Sequence, residues 1–336
     1  MSFDDPIDAG PILGLSHQYF AYTTALAAVE LRLFDLLAGR TLSEAEIRAE
    51  LDLHPRLTAD FLDSLVAVGL LRREAGGYGN TRLSDHYLRE HAATNVIRYV
   101  KGAQFRWQNL LQALRSGEPL VTMKPAGATM DNLRQGKDDW RKFFAWADYL
   151  ASARNVALAR RFDWSGIADF VDAGGGNGTA AAHVVRDNPH VRATVFDLPN
   201  AKPAFEEQMA RLGTQGKVSF QTGDLFADPL PRADAVLFGG MLIDWSEEQR
   251  LAMLRSAYEA LRPGGVVLAA NHMLDDARSA NVASFMVSLN IMLVSKDGRV
   301  PLMEDCRSWL RQAGFARVEI RPLAQGESLI VGHKDK

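Results

Sequence analysis

The chain has 336 residues, 47% of them apolar and 24% charged, enough material for two domains with real cores. Its 38 Lys and Arg against 41 Asp and Glu leave a net charge of -3, which supplies no field for nucleic acid or an anionic membrane surface. The one cysteine, Cys306, excludes an internal disulfide framework and a thiolate metal site.

No apolar run reaches the roughly 18 residues of a membrane-spanning helix, and the acidic start, Met1-Ser2-Phe3-Asp4-Asp5, resembles neither a secretory signal nor a transit peptide. The expected setting is the cytoplasm, with no metal, no membrane and no nucleic acid as partner. Leu13 to Ala38 reads as one long helix stopped by Gly39. Its apolar residues, among them Phe20, Leu31 and Phe34, cover more than one face, which points to burial against a partner chain. Ser43 and Glu46 have capping-box spacing, and Leu57 to Val68 reads as a second short helix with Leu57, Phe61, Leu65 and Val68 on one side. Gly69 to Leu83 then reads as a two-stranded wing. Helix-turn-helix plus wing is a DNA-binding shape. The second helix, however, offers Arg56 against Asp60 and Asp63, too acidic for a recognition helix, so a dimerisation module is the better reading.

Asn95–Leu114 and Trp140–Phe162 read as helices rich in aromatics. Most of these rings belong to helix packing; Trp107 and Trp146 are the candidates to line a pocket for a flat apolar substrate. From Ile167 onward short apolar runs alternate with helical patterns. Strands are expected at 167–171, 193–196, 218–221, 235–238 and 265–270, with two more, 316–321 and 328–332, as an antiparallel hairpin at the sheet edge. That pattern is an α/β fold with a mostly parallel seven-stranded sheet. The expected organisation is residues 1–100 as a mainly helical winged-helix dimerisation domain, 101–162 as a helical stretch lining the substrate pocket, and 163–336 as a Rossmann-like domain.

Ligands of such sheets sit at the carboxyl ends of the strands, at the switch point. Asp172, Asp197, Asp224 and Gly239 fall there. The turn Gly174-Gly175-Gly176-Asn177-Gly178 lets a ligand approach bare backbone, and Asp197, about 20 residues further on, is placed for ribose hydroxyls. An NAD site, an S-adenosylmethionine (SAM) site and a plain tight turn all begin this way. The turn lacks the G-x-G-x-x-G spacing of NAD sites, and it has carboxylates where a pyrophosphate would need cations. A zwitterionic ligand without pyrophosphate tolerates the acids, so SAM is the expected cofactor and S-adenosylhomocysteine (SAH) its product. Gly176 shapes the turn, Leu198 follows the ribose acid, and Gly223, Asp224, Leu225 and Phe226 would flank the adenine.

Asp172-Ala173-Gly174-Gly175-Gly176-Asn177-Gly178, Phe196-Asp197-Leu198-Pro199, Gly223-Asp224-Leu225-Phe226, Asp244-Trp245-Ser246-Glu247-Glu248, Leu261-Arg262-Pro263-Gly264-Gly265 and Ala313-Gly314-Phe315 together carry a resemblance. The chain, from Thr24 to Gly332, resembles the class I SAM-dependent small-molecule O-methyltransferases of plant caffeate and bacterial anthracycline type. That resemblance implies SAM contacts at Gly174, Asp197, Asp224, Leu225 and Gly239, a homodimer formed through the N-terminal domain, and an acceptor site near Met241, Met286, Asn290, Ile291 and Met292.

The sequence departs from the family at three positions that act together. Where many members have a histidine base just before Asp-Trp, this chain has Ile243, and the two acids that orient that histidine fall at Asn271 and Val300. General-base help is worth about 10²–10⁴-fold, less than proximity and alignment can supply. The expected function is therefore O-methylation of a small aromatic or polyketide-like metabolite by proximity and orientation. Asp244 and His272 are the candidate proton acceptors, with a helix N-cap as the alternative role for Asp244. Transfer to nitrogen or carbon, a repurposed SAM-binding enzyme and a winged-helix regulator are the competing readings.

Overall fold

A computed structural model describes residues 8–90, 103–104, 106–120, 140–279 and 282–336, with the side chains of 140–143, 145 and 146 outside the description. The chain forms two compact units, Met1–Gln104 and Phe105–Lys336.

In the first unit the expected long helix is two. Helix α1 (Gly10–Glu30) ends where Arg32 turns left-handed at φ 57°, and a short α2 (Leu33–Leu36) follows before Gly39. The break lets Leu33, Phe34 and Leu37 turn into the core beside Ala28 and Val29. After β1 (Thr41–Leu42), Ser43 and Glu46 form the expected capping box on α3 (Glu44–Glu50), and α4 is Pro55–Ala67. The buried face of α4 is Thr58, Leu62 and Leu65, one step round from the expected face, so Leu57 and Val68 stand exposed. Strands β2 (Leu71–Glu74) and β3 (Gly77–Asn80) meet through a turn with positive φ at both Ala75 and Gly76, as a two-residue hairpin requires. The strand order is β1-β3-β2, all antiparallel, and Thr81, expected in the wing, instead caps α5 (Arg82–Tyr87). The first half of α1 leaves Ile12, Leu13, Leu15, Tyr19 and Phe20 exposed.

The second unit begins with α6 (Leu110–Ser116) and α7 (Trp140–Arg161). Then come β4 (Asp169–Ala173), α8 (Thr179–Asp187), β5 (Arg192–Asp197), α9 (Lys202–Leu212), β6 (Val218–Thr222), β7 (Ala233–Gly239), α10 (Glu247–Ala260) and β8 (Leu261–His272). Helices α11 (Val282–Met292) and α12 (Met303–Gln312) and strands β9 (Arg317–Pro322) and β10 (Glu327–His333) complete it. The seven strands lie in the order β6-β5-β4-β7-β8-β10-β9, and β10 alone runs antiparallel to its neighbours. Side chains alternate across the sheet. Phe170, Val195, Leu237 and Leu268 pack under α7, α8 and α9, while Val171, Phe196, Val236 and Val267 pack under α10 and α12. Strands buried on both faces explain the near-continuous apolar runs in the sequence. The chain leaves β4 for β5 on one side and reaches β7 on the other, so the switch point lies at the carboxyl end of β4, where the glycine turn stands.

Candidate cofactor and acceptor site

The turn after β4 is bare because side chains already fill the space around it. Gly176 has φ +58°, and a Cβ there would lie 2.4 Å from the Phe144 ring of α7. Gly174 has φ +69°, and its Cβ would meet the Met241 sulfur at 2.0 Å, which places Met241 directly over the turn. The Gly174 amide donates to the Phe196 carbonyl at 2.8 Å, joining the turn to the end of β5.

Three acids surround this turn. Asp197 accepts from the Gly176 amide and from the Leu198 amide, both at 2.7 Å; burial pushes its carboxyl up to about 6 against those two donors. Asp172 is 1% exposed, and its Oδ2 has no partner among the described residues. Burial pushes it up to about 7, with Arg154 opposing and Asp197 adding to the rise. Asp224 accepts from the Phe226 amide at 3.0 Å while its own amide donates to Asp228. Gly223 is bonded to the Asp197 carbonyl, Leu225 is half-buried, and Phe226 is exposed with its ring edge-on to Trp245 at 4.6 Å. Gly239 ends β7 in open space.

Two charged residues of α7 escaped the sequence reading. Asp148, on α7, accepts from Asn177 Nδ2 and Thr179 Oγ1, each at 2.8 Å, and from Gln208 Nε2 at 3.3 Å. One carboxylate thus ties α7 to the end of the turn, the start of α8, and α9. Burial raises its pKa, with the Asn177 and Thr179 bonds opposing. Arg154, two turns further along the same helix, pairs with Glu327 at the start of β10 across 3.3 Å, and its Nε has no partner among the described residues. The guanidinium leaves no room for a side chain at Gly240, where a Cβ would lie 2.5 Å from Nη1. The available signal was position: Asp148 and Arg154 lie in the middle of a helix whose other charges, Arg141, Lys142, Arg160 and Arg161, sit at its ends.

On the acceptor side, Met241 leads into a single helical turn, Leu242–Asp244. Asp244 is not the cap of α10: Ser246 is, with Gln249 completing a capping box. Asp244 stands exposed at the rim, yet the protein around it thins its hydration and pushes its carboxyl up to about 7, with Arg250 opposing. His272, at the end of β8, has Nδ1 3.2 Å from Ser284 Oγ and Nε2 4.0 Å from Glu327 Oε1. Burial and Arg154 lower its pKa, so the ring is neutral at neutral pH. Ile243 packs with Leu274, Ile291 and Val300, and Asn271 is 1% exposed with neither amide atom partnered among the described residues. Asn290 on α11 accepts from Arg106 at 3.4 Å, while Met286 and Met292 of the same helix are exposed. Trp107 is half-buried; the Trp146 side chain lies outside the described residues. Among the described residues no cluster of three or more His, Cys, Asp or Glu could hold a metal ion, and no helix is long and apolar enough to cross a membrane.

The donor set fits a nucleoside that also carries an amino acid. Glycines that a Cβ would fill leave backbone open, Asp197 faces the turn, and the orphaned Asp172 oxygen is a natural acceptor for an ammonium group. Fold and site together define a SAM-dependent methyltransferase. The chain belongs to the O-methyltransferase family: an O-methyltransferase domain matches residues 107–316 and an O-methyltransferase dimerisation domain residues 13–90. It is 38% identical over 332 residues, 97% of each chain, to the tetracenomycin polyketide synthesis 8-O-methyl transferase TcmO of Streptomyces glaucescens. It is 33% identical over 312 residues, 91% of this chain and 90% of the relative, to the N,N-dimethyltransferase OxyT of Streptomyces rimosus. Among solved structures, human N-acetylserotonin methyltransferase in complex with SAM is 25% identical and superposes over all of both chains with a TM-score of 0.80. PigF with SAH, 23% identical, shares the fold at a TM-score of 0.82 over 98% of this chain and all of that one.

Proposed function

We propose that this enzyme methylates a hydroxyl of a flat, polyketide-derived aromatic metabolite, acting as a homodimer in the cytoplasm. The observation that carries the reading is the glycine turn braced by Asp197, in a chain 38% identical to an 8-O-methyl transferase of polyketide synthesis. In this reading Gly174, Gly176 and Gly239 present backbone to the cofactor, Asp172 takes its ammonium group, Asp197 with Leu198 takes the ribose, and Gly223, Asp224, Leu225 and Phe226 flank the adenine. SAM when bound supplies a methyl group on a sulfonium, an electrophile that needs alignment more than activation.

Residues 101–162, with Trp107 and Trp146, and helix α11, with Met286, Asn290 and Met292, would form the acceptor side opposite Met241. With Ile243 at the histidine position, proton removal falls to Asp244 or to neutral His272, and an acceptor that binds already ionised needs no base. The exposed apolar half of α1, within the dimerisation domain, supports a second copy as partner. Methylation of nitrogen is the second reading, favoured by the likeness to OxyT.

The test is SAM with a panel of hydroxylated anthraquinones and naphthoates and a matching set of aromatic amines, read by SAH release and product fragmentation. Methyl ethers support the proposal, and N-methyl products replace it with the second reading. SAH binding that survives Asp197→Ala would overturn the cradle assignment.

A further inference from the structure

Arg250, on α10, is 1% exposed, and its hydrogen-bond acceptors are backbone carbonyls rather than a carboxylate. Nε donates to the Leu242 carbonyl; Nη2 donates to the Ile243 carbonyl at 3.4 Å and to the Arg299 carbonyl at 3.0 Å. The guanidinium lies over the Trp309 ring of α12, 5.0 Å from its centroid. The segments it joins also bond to each other: the Arg299 amide donates to the Ile243 carbonyl at 2.9 Å. Gly298 permits this approach, since a Cβ there would lie 3.1 Å from the Ile243 oxygen and 2.7 Å from Ile291 Cγ2. From the second segment the Val300 amide donates to Ser288 Oγ of α11 at 3.3 Å.

Burying a cation without a directly paired anion is costly, and a core position on α10 could hold an aliphatic side chain. Only the planar fork of arginine reaches carbonyls of two separate segments at once. We infer that Arg250 is a positioning residue for the acceptor half of the site: it welds the Leu242–Asp244 turn to residues 298–300 and so fixes where Met241, Ile243 and Asp244 stand relative to α11. The inference rests on the proposed function for the meaning of "acceptor half". The weld's own hydrogen bonds lie outside the cofactor cradle: none involves the glycine turn, Asp172 or Asp197, and Met241 is the one residue it positions that also stands over the turn.

The test compares Arg250→Met and Arg250→Lys with the wild type, all loaded with SAH. Hydrogen exchange at the amides of Asp244, Arg299 and Val300 is expected to rise about tenfold or more in both variants, while exchange across residues 172–178 stays unchanged. The SAH dissociation constant should stay within about threefold, and with an anthraquinone or naphthoate acceptor that the wild type methylates, acceptor KM should rise about tenfold with SAM KM unchanged. Lysine keeps the charge but not the fork, so wild-type exchange in Arg250→Lys would overturn the weld. Unchanged exchange in Arg250→Met, or weakened SAH binding in step with the acceptor effect, would also overturn it. If Arg250→Met does not fold, Arg250→Gln takes its place in the comparison. A wild type that methylates no acceptor sinks the proposed function instead, and the exchange measurement still decides the weld.

Discussion

The Gly176 amide donates to Asp197 Oδ2 across 2.7 Å, so the acid that ends β5 also props the glycine turn that follows β4. Cofactor recognition and turn geometry are thereby coupled in one bond. Whatever disturbs either partner is felt by the whole cradle.

Gly176→Ala tests the turn itself. The substitution needs a left-handed φ of +58° and drives a methyl group to 2.4 Å from the Phe144 ring, where the ring must move. Backbone strain of this kind costs about 1–3 kcal/mol. Titration calorimetry should show SAH affinity reduced about tenfold or more, on the same scale. Unaltered affinity would mean the turn is not where the cofactor lies.

Asp172→Asn should separate stability from binding. The folded-state pKa of Asp172, about 7, stands above its ordinary 3.8, so the folded protein holds this proton more tightly than the unfolded chain. The resulting stabilisation is complete below about pH 4 and is lost as pH rises through about 7. An amide never ionises, so the variant should melt higher at pH 8, by roughly 3 °C, the effect of about 1 kcal/mol in a domain of this size. Melting curves of the two proteins should converge below about pH 4. The same variant should bind SAH more weakly, because the ammonium loses its charged partner.

Asp148→Ala takes the acceptor from buried Asn177 Nδ2, while Thr179 Oγ1 keeps Asn177 Oδ1 at 3.1 Å and Gln208 Nε2 keeps Thr179 Oγ1 at 2.7 Å. A buried donor left unmet costs about 1–3 kcal/mol. Thermal melting should fall well beyond the range of a surface substitution, and saturating SAH should recover less stability than it gives the wild type. A melting temperature equal to wild type would show that water replaces the carboxylate without cost.

Asp244→Asn and His272→Phe distinguish the two candidate proton acceptors. If Asp244 takes the proton, its ionised form is the active one, and kcat should climb as pH rises through about 7. Asp244→Asn would then lower kcat by about 10²–10⁴ and flatten that limb. If His272 is the base, its lowered pKa keeps it competent at neutral pH, and His272→Phe carries the loss instead. Little change in either variant would leave positioning alone as the source of rate.

Leu13→Glu with Phe20→Glu, both on the exposed part of α1, should shift the protein from dimer to monomer in sedimentation. Buried carboxylates at an apolar interface lack partners, and the association is lost. A dimer that persists would move the interface elsewhere.

The sequence by itself determined the alternation of strands and helices, the switch-point turn, the acids at the strand ends and the capping box at Ser43; at α10 it offered Asp244 where Ser246 is the cap. Each is a local signal: periodicity within one element, or residue types within a few positions of a turn. Residues 95–102 and 105, inside the expected helix at 95–114, lie outside the described residues. The break in α1 at Arg32 and the rotation of α4 that exposes Leu57 were not legible, because which apolar face is buried depends on the elements packed against it. Only the tertiary structure decided the second set of polar partners. Arg154 meets Glu327 across 173 residues of sequence, Asp148 meets Gln208 across 60, and Arg250 meets the Arg299 carbonyl across 49. No periodicity encodes such pairs: they exist because strands and helices distant in the chain converge at the carboxyl edge of one sheet, where buried charge must find a partner.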